Sequence, residues 1–376
     1  MTFSIEFADE QTEYQARIKV IGCGGSGGNA VNTMINFGLE GVEFIVVNTD
    51  VQALNANAAP TKLTIGQNIT KGLGAGADPD RGRKAALEDV QRIKELIAGA
   101  DMVFITAGMG GGTGTGSAPL VAQIAKSLDP KPLVVGVITR PFEFEGLVRK
   151  NQADQGIEEL RPHVDTLLAI PNDRLFEIID ENTTSIEAFR VADNVLRQAV
   201  QAITDVITRH GLINVDFADV RSIMSGAGEA LMGMGESRGP GRAVEAAKKA
   251  IHSPLLENLS IDGAKGLLVN IAGNKSITLH EVKSAMDYIK NAASPEAHVF
   301  YGQVFDDGLE DRFCVTVIAT GFPPARKATA LRRVGRDAAD PRRTGVRTAA
   351  APLDVPVLAD DLRRPAYLRR QLRKLH

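Results

Sequence analysis

The chain has 376 residues, 44% apolar and 24% charged, with a formal net charge of −3, ordinary values for a soluble globular protein of about two domains. Its two cysteines, Cys23 and Cys314, lie far apart, and its six histidines show no metal-ligand spacing, which argues against a disulfide framework or a zinc site and fits a reducing cytoplasm. No apolar run reaches membrane-spanning length and the opening residues lack a signal peptide's basic and apolar regions, so no direct transmembrane insertion is expected.

The net charge hides an asymmetry. Residues 321–376 hold 14 Lys and Arg against 5 Asp and Glu, whereas the remainder holds 29 against 41. An acidic body carries a basic, Arg-rich tail.

Residues 1–16 are polar and read as a loose extension. A strand follows at 17–21, then the turn Gly22-Cys23-Gly24-Gly25-Ser26-Gly27-Gly28, then a helix opening at Asn29. Gly22, Gly24 and Gly27 satisfy the dinucleotide fingerprint G-x-G-x-x-G in its required context, and Asp50 ends the next strand, 42–47. Alone, these features suggest an NAD-binding Rossmann domain and hence an oxidoreductase. A second segment of small residues, Gly72-Leu73-Gly74-Ala75-Gly76-Ala77, comes next.

The most informative run is Gly110-Gly111-Gly112-Thr113-Gly114-Thr115-Gly116-Ser117, between a strand at 101–107 and a helix from Ala118. A strand, a Gly-rich turn and a helix N-terminus bring several backbone N–H groups to one point and suit an anion. The run is not a Walker A loop, because Ser117 stands where the lysine must be. Polyphosphate here would be held by backbone amides and a metal. Three Gly-rich turns after successive strands would wrap one long phosphate chain, which favours a nucleoside triphosphate over a dinucleotide.

Further strands are expected at 132–138 and 165–170. The alternation with helical patterns predicts an α/β fold with a Rossmann-like parallel sheet, whose ligands bind beyond the carboxyl ends of the strands. Thr184-Ser185-Ile186-Glu187 is a capping box opening a long helix. Ile186, Phe189, Leu196, Val200, Ile203 and Ile207 recur at helical spacing up to the stop His210-Gly211. About 26 residues, or about 39 Å, are expected. A mixed α/β second domain then runs to about Phe322, with helices at 242–251 and 278–291 and strands at 265–272, 297–304 and 312–320. Residues 323–360 read as a disordered linker of roughly 30–37 Å mean reach. Residues 361–376 regain apolar side chains among charges, as in a short segment that folds on a partner.

These residues resemble the FtsZ family, the tubulin-like GTPases of bacterial cell division. The run 110–116 matches the tubulin/FtsZ signature in full. Asn48-Thr49-Asp50, the 72–77 segment, Thr139 to Gly146, Ile170-Pro171-Asn172-Asp173 and Gly211 to Arg221 look like further family motifs. The resemblance implies a GTP-binding domain at 17–181, a central connecting helix at 182–211, an activation domain at 212–322 and a partner-binding peptide at 361–376.

It also implies residue roles. Gly24, Gly25, Gly110, Gly111, Gly112, Thr113, Gly114, Thr115 and Gly116 would hold the phosphates of GTP or GDP, with Mg2+ bound mainly by those phosphates. Ala75 and Gly76 would close over the γ-phosphate. Glu145 would contact the ribose and Arg149 would sit by the phosphates. Asn29, Phe189 and Asp193 would hold guanine, and Asn48 and Asn172 would complete the set. A carboxylate suits guanine, whose N1–H and 2-amino group both donate.

Asp216 and Asp219, three apart, share one face of a helix's first turn and by themselves read as caps or dipole partners. The resemblance implies that they, with Asn214, complete hydrolysis of the neighbouring subunit's GTP. The chain would then polymerise into filaments that form a ring at the mid-cell septum. Its tail would bind membrane-tethering and regulatory division proteins, and no nucleic acid is implied. In that tail, Pro365-Ala366-Tyr367-Leu368-Arg369-Arg370-Gln371 fits the family peptide, but Asp361 stands four residues before Pro365 instead of two. A non-hydrolysing scaffold of the same fold is disfavoured by the retention of both Asp216 and Asp219.

Overall fold

The computed structural model describes residues 15–180, 182–209, 215–256, 261 and 263–322. The predicted linker 323–360, the peptide 361–376, nearly all of 1–16, the stop His210-Gly211 and the site residue Asn214 lie outside the described residues.

Ten strands form one sheet: β1 (Ile18–Cys23), β2 (Val42–Asn48), β3 (Thr61–Thr64), β4 (Met102–Gly108), β5 (Leu133–Arg140), β6 (Thr166–Pro171), β7 (Gly228–Ser237), β8 (Gly266–Gly273), β9 (His298–Phe305) and β10 (Phe313–Thr320). Their order is β3-β2-β1-β4-β5-β6-β7-β10-β8-β9. Strands β3 to β7 in that order pair parallel, β10 is antiparallel to β7 and β8, and β8 pairs parallel with β9. The two halves meet at β6 and β7, through only Thr166↔Gly228, Leu167↔Glu229 and Leu168↔Ala230.

The helices are α1 (Gly24–Asn36), α2 (Val51–Asn55), α3 (Gln67–Thr70), α4 (Pro79–Glu88), α5 (Val90–Ile97), α6 (Thr113–Lys126), α7 (Leu147–Leu160), α8 (Ser185–Thr208), α9 (Phe217–Met224), α10 (Arg242–Ile251) and α11 (Leu279–Ala292). The parallel strands are near-continuous apolar runs because helices cover both faces. Val20, Phe104 and Val135 pack with Met34 of α1 and Leu196, Val200 and Ile203 of α8. Their neighbours Ile21, Ile105 and Val134 point the other way, toward Ile93, Val121 and Ile157. A third core joins Val269 and Val317 to Ala246, Ala250, Val282 and Ile289. Among the described residues no helix is long and apolar enough to cross a membrane.

The predicted strands and the helices of the second half recur within a residue or two. Four features differ. Helices α1 and α6 begin at Gly24 and Thr113, so the Gly-rich runs are partly first helical turns and not free turns. Segment 72–77 follows α3 and not a strand; Gly74 N still donates to Thr49 O (3.3 Å) and Val51 N to Gly72 O (3.1 Å), which ties it to the carboxyl end of β2. Helix α8 spans 24 residues, about 36 Å, and its first turn leaves the apolar stripe: Ile186 is 66% exposed and Phe189 45%. Strand β7 was hidden by its glycines. A Cβ on Gly233 would lie 2.0 Å from Ala250 O, and one on Gly235 2.1 Å from Ala246 O. Helix α10 crosses β7 too closely for side chains there, so the alternating pattern that marks a strand is interrupted.

Candidate functional site

A cavity of about 200 Å³ opens beyond the carboxyl ends of β4 and β5, lined by Ser26 and Asn29 of α1, Gly111 of the Gly-rich loop, Thr139, Glu145, Arg149, Asn172, and Phe189 and Asp193 of α8. It lies where the parallel-sheet topology predicts a ligand.

One wall is main chain. Gly110 takes φ +97° and donates its N–H to Thr115 Oγ1 (2.8 Å), which closes the loop on the start of α6. A Cβ on Gly110 would come within 2.8 Å of Arg149 O. Gly25 and Gly111, by contrast, have nothing within 4 Å of an added Cβ; they face open space beside the α1 and α6 N-termini. This is a cradle of amides and positive helix ends that fits an anion. Not every residue of the run reaches it. Gly116 is pressed against α4, with Pro79 O 2.1 Å from an added Cβ, and Gly114 against Cys23 O at 3.0 Å and Gly108 O at 3.1 Å. Gly24 and Gly112 are buried. A Cβ on Gly112 would meet Asp78 N at 2.8 Å and the buried Ala75 at 2.9 Å, so the loop and the 72–77 segment touch, with exposed Gly76 beyond.

The opposite wall is side chain. Glu145 accepts from Phe142 N (2.9 Å) and pairs with the Arg149 guanidinium one helical turn away. Asn172 is buried, and among the described residues its Oδ1 has no hydrogen-bond partner. A buried acceptor without a donor is costly unless a ligand supplies one. Burial pushes the Asp193 carboxyl up to about 7, so it too lacks a compensating charge or donor. The orphan acceptor and the underused carboxylate fit a ligand that presents donors. Phe189 stands edge-on to buried Phe142 (5.5 Å between centroids), which also stacks on Phe144 (4.9 Å).

Two predicted features turn out differently. Asn48 is buried and accepts from Asp50 N (3.3 Å); it shapes the turn and does not line the cavity. Asp50, the acidic residue of the dinucleotide reading, spends its carboxylate on Gln52 N (2.8 Å) and Ala53 N (3.2 Å) as the cap of α2. Gly22 and Gly27 serve the β1–α1 contact, with an added Cβ on Gly22 lying 2.6 Å from Gly27 O. The NAD fingerprint is therefore a packing pattern here.

Asp216 and Asp219 sit at the start of α9. Asp216 occupies the cap position without making a side-chain cap bond, and it is exposed. Helix α9 is anchored at the amino ends of the parallel strands: Thr166 Oγ1, at the first residue of β6, donates to Met224 O (2.5 Å), and Arg221 donates to Lys131 O (2.8 Å), just before β5. The cavity is at the carboxyl ends. An eight-residue strand such as β5 separates the two by about 26 Å. The structure does not bring the Asp pair to the chain's own cavity.

A family model for the Tubulin/FtsZ GTPase domain matches residues 17–180, and one for the FtsZ C-terminal domain matches residues 228–323. Among solved structures, an FtsZ dimer from M. jannaschii is 44% identical, with a TM-score of 0.79, over 82% of this chain and 89% of that one. The chain belongs to the FtsZ family. A mutant of the same M. jannaschii protein matches at 45% identity and TM-score 0.78, over 82% of this chain and 92% of that one. The GDP-bound CetZ1 monomer of Haloferax volcanii, at 21% identity and TM-score 0.71 over 82% of this chain and 95% of that one, shares the fold.

The fold is thus that of the tubulin/FtsZ GTPases, a class that implies GTP and GDP as ligands. Within this FtsZ-family chain, Ser26, Thr139 and the aromatic partners of Phe189 carried no role of their own in the sequence, although Ser26 lies in the 22–28 turn and Thr139, Phe142 and Phe144 lie in the 139–146 motif. Thr139 and Ser26 line the cavity, but a lone hydroxyl at a strand end or in a turn carries no distinguishing spacing. Phe142, Phe144 and Phe176 form with Phe189 an aromatic cluster that supports the side-chain wall. Its signal, Pro141-Phe142-Glu143-Phe144, was visible as aromatic density in a chain with only 5% aromatic residues.

Proposed function

We propose that this chain binds GTP in the cavity, polymerises head-to-tail, and hydrolyses GTP where one subunit's α9 meets the next subunit's cavity. The observation that carries this reading is the placement of the exposed Asp216 and half-buried Asp219 at the amino ends of the strands, with the cradle at the carboxyl ends.

In this reading the amides of Gly25, Gly111 and Thr113 bind phosphate oxygens, Gly110 closes the loop on Thr115 beside them, and Ala75 and Gly76 cover the terminal phosphate. Arg149 neutralises charge while Glu145 holds Arg149 and contacts the ribose. Asp193 and Asn29 recognise the guanine edge, and Phe189 packs on the base. Asp216 and Asp219 of the adjoining subunit, with Asn214, orient water for in-line attack on the terminal phosphorus. Mg2+ would be held mainly by the nucleotide phosphates and, when bound, would neutralise part of their charge. The filaments would build the mid-cell division ring, with residues 361–376 docking membrane-tethering partners through Tyr367 and Leu368.

GTPase activity measured against protein concentration tests the core of this reading. Activity per subunit should rise steeply with concentration. Asp216→Ala should bind GTP and hydrolyse it at least about a hundredfold more slowly, the scale of losing a transition-state-stabilising group. Adding a Gly114→Val subunit, which cannot hold nucleotide but has an intact Asp pair, should restore part of that activity. Constant activity per subunit down to high dilution would defeat the shared-site reading.

A further inference from the structure

Thr49, which follows β2, is wholly buried and touches both halves of the main-chain cradle. Its Oγ1 lies 2.6 Å from Oγ1 of Thr113, the first residue of α6. Its carbonyl accepts from Gly74 N at 3.3 Å, within the 72–77 segment. In a hydroxyl pair one group donates and the other accepts, and each has a single proton. The burial of Thr49 decides the direction. Among the described residues its hydroxyl meets only Thr113, so a proton donated by Thr113 would leave the Thr49 proton buried without an acceptor, an arrangement that interiors avoid. Thr49 therefore donates. The proton of half-exposed Thr113 is then released to point out of the protein, at the N-terminus of α6 where an anion is stabilised.

We propose that Thr49 is a positioning residue of the phosphate site: it donates to Thr113 Oγ1 and so turns the Thr113 hydroxyl into a fixed donor to a phosphate oxygen. The inference rests on the reading of the cradle as a phosphate site. Accepting one hydrogen bond also polarises the Thr113 hydroxyl and makes it a better donor. The Thr49 carbonyl meanwhile holds the start of the segment that carries Ala75, so one buried residue sets both the loop and its cover.

Calorimetric titration of the full chain with guanosine, GMP, GDP and GTP, below the concentration of assembly, tests this. Thr49→Val keeps the shape and deletes the hydroxyl; Thr49→Ser keeps the hydroxyl. Thr49→Val should weaken GDP and GTP about three- to tenfold, the span of one hydrogen bond, and leave guanosine unchanged, while Thr49→Ser should match the wild type. In a Thr113→Val background, Thr49→Val should cause no further loss, because its effect passes through Thr113. Equal weakening of guanosine and GTP, a Ser variant as poor as Val, or additive losses would each overturn the proposal and leave only a packing role. If Thr49→Val does not fold, Thr49→Cys, similar in size and a weak donor, replaces it in every comparison. Undiminished GTP binding by Thr49→Val overturns the role of Thr49 alone. A wild-type chain indifferent to the number of phosphates overturns the phosphate-site reading with it.

Discussion

The two walls of the cavity are made of different material. The Gly-rich wall is backbone, held in place by contacts that admit no side chain: Gly110 against Arg149 O, Gly112 against Asp78 and Ala75, Gly116 against Pro79. The opposite wall is made of side chains: Phe189, and Asn172 and Asp193, whose polar atoms are left short of partners among the described residues. The first wall is rigid and indifferent to what it binds beyond charge and size; the second is where selectivity for a base can reside, since unmet donors and acceptors penalise the wrong ligand.

The contrast can be broken first on the backbone side. Gly110→Val forces a β-branched residue to φ +97° and drives its Cβ to 2.8 Å from Arg149 O, so the loop must move. Nucleotide affinity should fall by about a hundredfold or more, equally for GTP and ATP, on the scale of strain and misplacement. Near-normal binding by calorimetry would show that the cradle is not built from main chain.

A smaller and selective loss is expected on the other wall. Asp193→Ala should cost about 1.5–3 kcal/mol in GTP affinity, or roughly 10- to 150-fold, with little change for ATP. If the variant still prefers guanine, Asp193 is not the base-reading group.

The same residue gives a pH signature. Burial raises its carboxyl to about 7, well above the roughly 3.9 of an unfolded Asp. A raised folded value stabilises the fold fully below about pH 4, and that contribution is lost as pH rises through about 7. Asp193→Asn should therefore stabilise the nucleotide-free protein relative to wild type at about pH 8, and not at about pH 4, in paired melting curves. A difference in Tm that does not vary with pH would contradict the burial assignment. Donors from guanine favour the carboxylate, so GDP binding near neutrality should release protons, which calorimetry in buffers of different ionisation enthalpy detects.

The smallest effect belongs to the aromatic support. Phe144 is 70% exposed and stacks on Phe142. Phe144→Ala should cost about 0.5–1.5 kcal/mol of stability and change GTP affinity only a few-fold. A loss as large as that of Asp193→Ala would make the cluster part of the recognition surface.

How much of this was legible in the sequence follows the same division. A backbone wall demands glycine, so the run from Gly110 announced its place beside the cavity, and the strand–turn–helix context is what suggested an anion there. A side-chain wall uses residues that serve anywhere on a helix. Phe189 fell into the apolar spacing of α8, and nothing in that spacing shows that the first turn rises clear of the core. The family resemblance, not periodicity, singled out Asp193. The glycine rule also misled: Gly22 and Gly27 spell a dinucleotide fingerprint, yet they serve strand–helix contact, and Gly233 and Gly235 concealed β7 for the same reason. Glycine reports close approach; only geometry says whether the approaching atom belongs to a ligand or to the next helix.

The opposed placement of α9 and the cavity carries a consequence for symmetry. A contact between these two surfaces joins unlike patches, so no two-fold axis can close it, and each added subunit presents the same unsatisfied pair again. In the proposed split-site filament, an open row of n subunits would complete n − 1 composite sites and leave one cradle and one Asp pair uncovered at opposite tips. The two tips are therefore chemically distinct species. At one tip any bound nucleotide would lie open to solvent and free to exchange, and the other would carry bare carboxylates. In the proposed filament, a polarity that begins as the shared direction of parallel strands inside one chain would become a direction of growth for the whole row.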